Sequence, residues 1–135
     1  MATLTITAAN VGVGSTAQVL PFTVGQATTH GQALYIDTAD GLAKPADADV
    51  EATAKARCIA ITSATGTGQT VYGITSGDLV LGAILTEGTE YYVHTTAGVI
   101  CTKDELASGD FVTRLGIAKT TSILAVSIEA TGVDL

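Results

Sequence analysis

The sequence reads GQALYIDTADGL from Gly31 to Leu42 and repeats itself 57 residues later as GTEYYVHTTAGV, Gly88 to Val99. Each segment opens with Gly, sets a Tyr before a β-branched aliphatic residue, and places Thr three residues ahead of a Gly followed by Leu or Val. The same shift matches Asp47 to Asp104 and Arg57 to Arg114, six identities over the 27 positions from Gly31 to Arg57. One further residue of offset aligns Ile59-Ala60 with Ile117-Ala118. A chain of 135 residues is one domain by size, so the repeat makes two halves of one fold. Each copy reads as a hairpin, a connector and a closing strand. Neither could bury its apolar face alone, whereas two could close a small barrel or sandwich.

The rest of the chain supports an all-β reading. Short apolar runs rich in β-branched residues are punctuated by Gly and Thr, and Trp is absent. Within the first copy, Ala33 to Asp37 and Leu42 to Lys44 form strands around a Thr38-Ala39-Asp40-Gly41 turn, with Gly supplying the left-handed residue. Further strands are expected at 58–62, 69–75, 79–85, 91–94, 99–102, 111–119 and 122–129. One helix is expected, Asp47 to Ala56, capped by Asp47 or Asp49. Residues 25–135 thus form a single β-domain, a small β-sandwich or barrel of two similar halves with one short helix. Residues 1–24 read as an N-terminal arm or edge hairpin. Thr3 to Ala8 alternates polar and apolar, Asn10 to Ser15 is a Gly-rich break, and Pro21 marks Gln18 to Val24 as an edge.

Charge narrows the function. Six Lys and Arg stand against thirteen Asp and Glu, a formal net charge of −7, which opposes nucleic acid and anionic membrane as partners. Met1 to Thr7 has no basic n-region, so no signal peptide is expected, and no apolar run is long enough to span a bilayer. Cys58 and Cys101 match neither a disulfide framework nor a zinc pattern and are expected as buried free thiols.

No residue pattern points to catalysis. Ser76-Gly77-Asp78 and Ser108-Gly109-Asp110 each read as a tight turn feeding a strand. Asp37, Asp40, Asp47, Asp49 and Glu51 lack the spacing of a calcium loop, and turn and cap duties account for Asp40 and for Asp47 or Asp49 without a metal. His30 and His94 have no neighbouring ligand, and Gly12-Val13-Gly14-Ser15-Thr16 lacks the Lys of a phosphate-binding loop. The expectation is a non-enzyme with no catalytic residue, no cofactor and no metal.

The succession GQALYIDTADGLAKPADAD, ARCIAIT, GQTVYGITSGDLVLG, LTEGTEYYVHTTAGVI and LGIAKTTSILAVSIEATGV resembles the small capsid cement, or decoration, proteins of tailed bacteriophages. The likeness covers about Gly25 to Val133 and omits the arm. It implies a compact β-domain on the outer capsid surface of a virion assembled in the host cytoplasm. It also implies the major capsid protein as partner, self-association favouring a trimer, and capsid stabilisation as the role. The competing reading is a β-domain of a phage fibre or other virion appendage that binds a host receptor. On the cement reading the arm completes a sheet in a neighbour by strand addition. Leu4, Ile6, Leu20 and Phe22 are then the candidate interface residues, the alternative being that they pack on their own core.

Overall fold

Reversals at Gly and Asp divide the β-rich sequence into ten strands in the computed structural model, which describes residues 3–135. In chain order these are β1 (Gly12–Val13), β2 (Gln18–Thr23), β3 (Ala33–Ile36), β4 (Ala43–Pro45), β5 (Ala56–Ala60), β6 (Thr70–Val80), β7 (Glu90–Val93), β8 (Ile100–Cys101), β9 (Phe111–Ala118) and β10 (Ile123–Asp134). A single helical turn, α1 (Glu51–Ala54), joins β4 to β5. All named strand pairs are antiparallel and belong to one curled, half-barrel sheet. The fold is all-β.

The internal repeat is visible as register. Tyr35 lies opposite Lys44 and Ile36 opposite Ala43. In the second copy Tyr92 lies opposite Cys101 and Val93 opposite Ile100, an offset of 57 residues on both strands. Across the closing strands, Leu34 faces Cys58 and Tyr35 faces Ala56, while Tyr91 faces Gly116 and Tyr92 faces Arg114. The closing strand is therefore offset by 58 residues, and a bulge falls at the same step in each copy. The additional residue lies in the second copy's connector, ahead of β9. Arg114 is thus the register equivalent of Ala56, not of Arg57, although Arg57 is its partner in the ungapped alignment. Strand order β4-β3-β5-β6-β10-β9-β7-β8 reads as two like halves meeting at β6 and β10.

The halves do not turn the same face to the shared core. Ile59 and Ile74, paired between β5 and β6, lie in the largest apolar cluster. The register equivalent of Ile59 is Ile117, which is 41% exposed, whereas its neighbour Ala118 is buried in that cluster. Inversion occurs within β6. Leu79 points inward opposite Leu124, and simple alternation from there would turn Ile74 outward. Yet Ile74 is fully buried in the same cluster as Leu79. The ladder with β2 slips here, Gln18 facing Ser76 and Val19 facing Ile74, so Thr75 is the extra residue that restores Ile74 to the inside. The two copies consequently stack front to back. The outer face of the first copy packs a second cluster around Val24, Leu34, Cys58 and Val71. That of the second packs a third around Ala48, Tyr92, Cys101 and Leu106.

Several expectations are corrected. The runs 69–75 and 79–85 are not two strands about a turn, because β6 passes through Ser76-Gly77-Asp78 unbroken while β10 pairs alongside it. Ser108-Gly109 is a turn, as expected. The helix expected at 47–56 shrinks to one turn with Val50 at its N-cap and no side-chain cap. The residues ahead of it serve other elements: Ala46 N–H bonds Ala33 O, and Ala48 N–H bonds His94 O. Asp47 does not cap; its carboxylate accepts from Asp49 N–H at 3.1 Å and from the Thr53 hydroxyl at 2.8 Å. Thr3 to Ala8 is not a named strand. Thr3 forms one bridge to Cys101, and Ala8–Asn10 is a 3-10 turn.

Candidate interaction surface

The N-terminal segment runs over the sheet rather than away from it. Leu4 donates its N–H to Ile100 O at 2.8 Å, adding to the free side of β8. Leu4 and Ile6 are half-buried against the main core, with Thr3, Thr5 and Thr7 exposed between them. Ile6 covers Gly31, and Asn10 covers Gly82, where a Cβ would meet each of them. Strand β1 then lies on β6 at Leu79 and Val80, opposite β10, and β2 lies on β6 at Gly73 and Ile74, opposite β5.

This placement separates the four candidate interface residues. Leu4, Ile6 and Phe22 pack in cis, Phe22 against the cluster holding Cys58 and Val71. Leu20, 46% exposed, lies on the surface of β2. Among the described residues strand β2 pairs with β6 alone, so it is an edge. Val24 N–H bonds Gln69 O, which continues the β2–β6 register. Ladder alternation therefore turns the backbone groups of Phe22 and Leu20 toward β6 and those of Thr23, Pro21 and Val19 outward. Proline sits where an incoming strand would need a donor, the usual way an edge is kept from pairing. Apolar side chains are thus better placed than the backbone to make contacts from this edge.

Titratable groups are mostly spent locally. Lys44 Nζ lies 2.7 Å from Asp37 and 3.0 Å from Asp40, closing the first hairpin. Bonding to Lys44 and to Ala39 N–H holds Asp37 below the usual carboxylate range, and Leu42 N–H with Lys44 does the same for Asp40. His30 Nδ1 is 3.1 Å from the Ser63 hydroxyl, and His94 Nδ1 accepts from Thr96 N–H at 3.0 Å. Among the described residues no group of three or more His, Cys, Asp or Glu could hold a metal ion. No helix there is long and apolar enough to cross a membrane. Both thiols are buried and unpaired, and burial pushes each up to about 12.

One concavity was not anticipated. A cavity of about 310 Å³ is lined by Tyr35, Ile36, Asp37, Thr38, Ala52, Lys55 and Arg57. Its signal in the sequence was the Tyr35–Arg57 spacing, which recurs as Tyr92–Arg114. A smaller space of about 120 Å³ lies beneath Leu4 and Ile6, beside His30 and Gly98.

No protein-family model, curated protein or solved structure matches the chain. Its function must be argued from its own residues.

Proposed function

We propose that this chain is a structural virion protein, a capsid cement or decoration protein that binds the outer shell surface and ties major capsid subunits together. The N-terminal segment carries the reading. From Thr3 to Thr23 it is held by single strand edges and by side chains laid over glycines, not by a hairpin of its own. Such an attachment places Leu20 and the outer side of β2 at the periphery, where a shell subunit can engage them. The ordered segments that resemble phage decoration proteins support the same reading, as does an acidic surface that would be repelled by packaged DNA. Several weak contacts per oligomer, a trimer on this reading, gain strength from high effective concentration on a fixed lattice. The role needs no catalytic residue or cofactor.

Copy number tests it. In particles purified from the phage or prophage that encodes the chain, quantitative mass spectrometry is expected to find it near the abundance of the shell protein. A few copies per particle would favour the appendage reading instead. Its absence from particles would overturn both.

A further inference from the structure

The second copy of the repeat contains a small ionic arrangement that the first copy lacks. Glu90 accepts from the Tyr92 hydroxyl at 3.1 Å and from Arg114 at 2.9 Å, so one carboxylate bridges a phenol and a guanidinium. In the first copy Tyr35 stands where Tyr92 does and Ala33 where Glu90 does, while Arg57 is the bulged residue beside Ala56, the register equivalent of Arg114. Ala33 is fully buried, and no carboxylate enters from within. Among the described residues the Tyr35 hydroxyl has no hydrogen-bond partner and Arg57 has no ion pair. Both line the 310 Å³ cavity.

The other charged groups around this cavity are accounted for. Asp37 is bonded by Ala39 N–H and Lys44, and Asp40 by Leu42 N–H and Lys44. Among the described residues Lys55 is held only by Glu51, at 3.6 Å with both side chains more than half exposed, so it is free to turn inward. Ile36 and Ala52 supply apolar wall, and Thr38 a second hydroxyl. A phenol donor, a planar guanidinium and a mobile ammonium around an apolar wall match a carboxylate on a short stem. The volume sits at the small end of ligand pockets and suits one or two residues, or a small organic acid.

We propose that the cavity between Tyr35, Lys55 and Arg57 receives a carboxylate on a short aliphatic stem. The carboxylate comes either from an Asp or Glu side chain of a protein partner or from a free dicarboxylic acid. The site does not depend on the cement reading.

Titration of the full-length 15N-labelled chain with glutarate, with an N-acetyl-Gly-Glu-Gly-amide peptide, and with sodium chloride at equal ionic strength is the test. Saturable shifts at the amides of Tyr35 to Thr38 and Lys55 to Arg57 are expected with the two carboxylates and not with chloride. Tighter binding of the peptide identifies a protein side chain as the source, and tighter binding of glutarate a small acid. Arg57→Gln, at an exposed position with no partner to disturb, is expected to weaken binding about fivefold to tenfold. Tyr35→Phe, which keeps the ring, is expected to weaken it about threefold, and Glu90→Gln to leave it unchanged. Shifts that never saturate, that chloride reproduces, or that Arg57→Gln leaves intact would overturn the site.

Discussion

At Gly77 the backbone takes φ +96°, and an added Cβ would run into the carbonyl of Thr16 and the Cα of Ala17. Gly41 has a similar φ of +73° with nothing within 4 Å of that position. The pair separates conformational strain from steric exclusion. Gly41→Ala is expected to cost about 1–2 kcal/mol, the left-handed penalty alone. Gly77→Ala adds a backbone collision and is expected to cost about 3 kcal/mol or more. Urea denaturation measures both, and equal losses would mean that residues 16–17 are not seated on β6. Lys44 offers a second test, by pH. Asp37 and Asp40 have folded values below the ordinary carboxylate value of about 3.9, so their stabilisation is full above that pH and disappears as pH falls through the lower folded values. Lys44→Met keeps the aliphatic stem and removes the cation. Its melting temperature is expected below that of the parent near pH 6 and equal to it near pH 2; a constant gap would assign the loss to packing. Cys58 and Cys101, fully buried and pushed up to about 12, are expected to resist iodoacetamide in the native protein and to react fully after unfolding without reductant. Failure to react after unfolding would mean a disulfide.

Among the elements, the N-terminal segment shows how far local pattern carries and where it stops. Alternation over Thr3 to Thr7 announced one buried face, and Leu4 and Ile6 are indeed the half-buried side chains. Their receptors, Ile100 O and the bare backbone at Gly31, lie far along the chain and have no local signature. Leu4→Ala and Ile6→Ala are each expected to cost about 1–2 kcal/mol, less than full burial would give. Deleting residues 1–17 should cost more than either while preserving β-type circular dichroism, because it also removes Val11, Ala17 and β1. Unchanged stability after the deletion would show that the segment does not pack in cis. The helix illustrates the opposite failure. DADVEATAKA has good helix formers, but hydrogen bonds from Ala46 and Ala48 to Ala33 and His94 draw its start into the sheet. Gly77 misled in the same way. It punctuates the sequence like a turn, yet flanking strands carry the chain straight through it. The Tyr35 cavity was half legible: the Tyr–Arg spacing repeats in sequence and sets Ala33 in the place of Glu90, but the register puts Ala56, not Arg57, in the place of Arg114.

For the molecule as a whole, the repeat was legible and its stacking was not, since a single bulged residue at Thr75 decides which face each copy turns inward. That arrangement has a consequence for folding. The main cluster takes Ala33, Ile59 and Ile74 from the first half and Tyr91, Val93, Ile100, Leu115 and Ala118 from the second. Because the copies stack front to back, each half alone would expose the face that the other covers, an apolar surface too large for a stable monomer. Strand β6 adds to the dependence, since its C-terminal part is flanked by β10 from the other half. The connection between halves, by contrast, passes through exposed Ala83 and Ile84 and contributes little packing before Leu85. A cut there should be tolerated where a cut between copies of independent domains would be trivial. Fragments 1–84 and 85–135, made separately, are expected to show collapsed amide spectra without a cooperative melt. Mixed at equal concentration, they are expected to recover the dispersed spectrum of the intact chain, with a melting temperature that rises with concentration because association has become bimolecular. A cooperative melt from either fragment alone would show that one copy closes its own core, and the front-to-back stacking would then be an accessory contact rather than the basis of the fold.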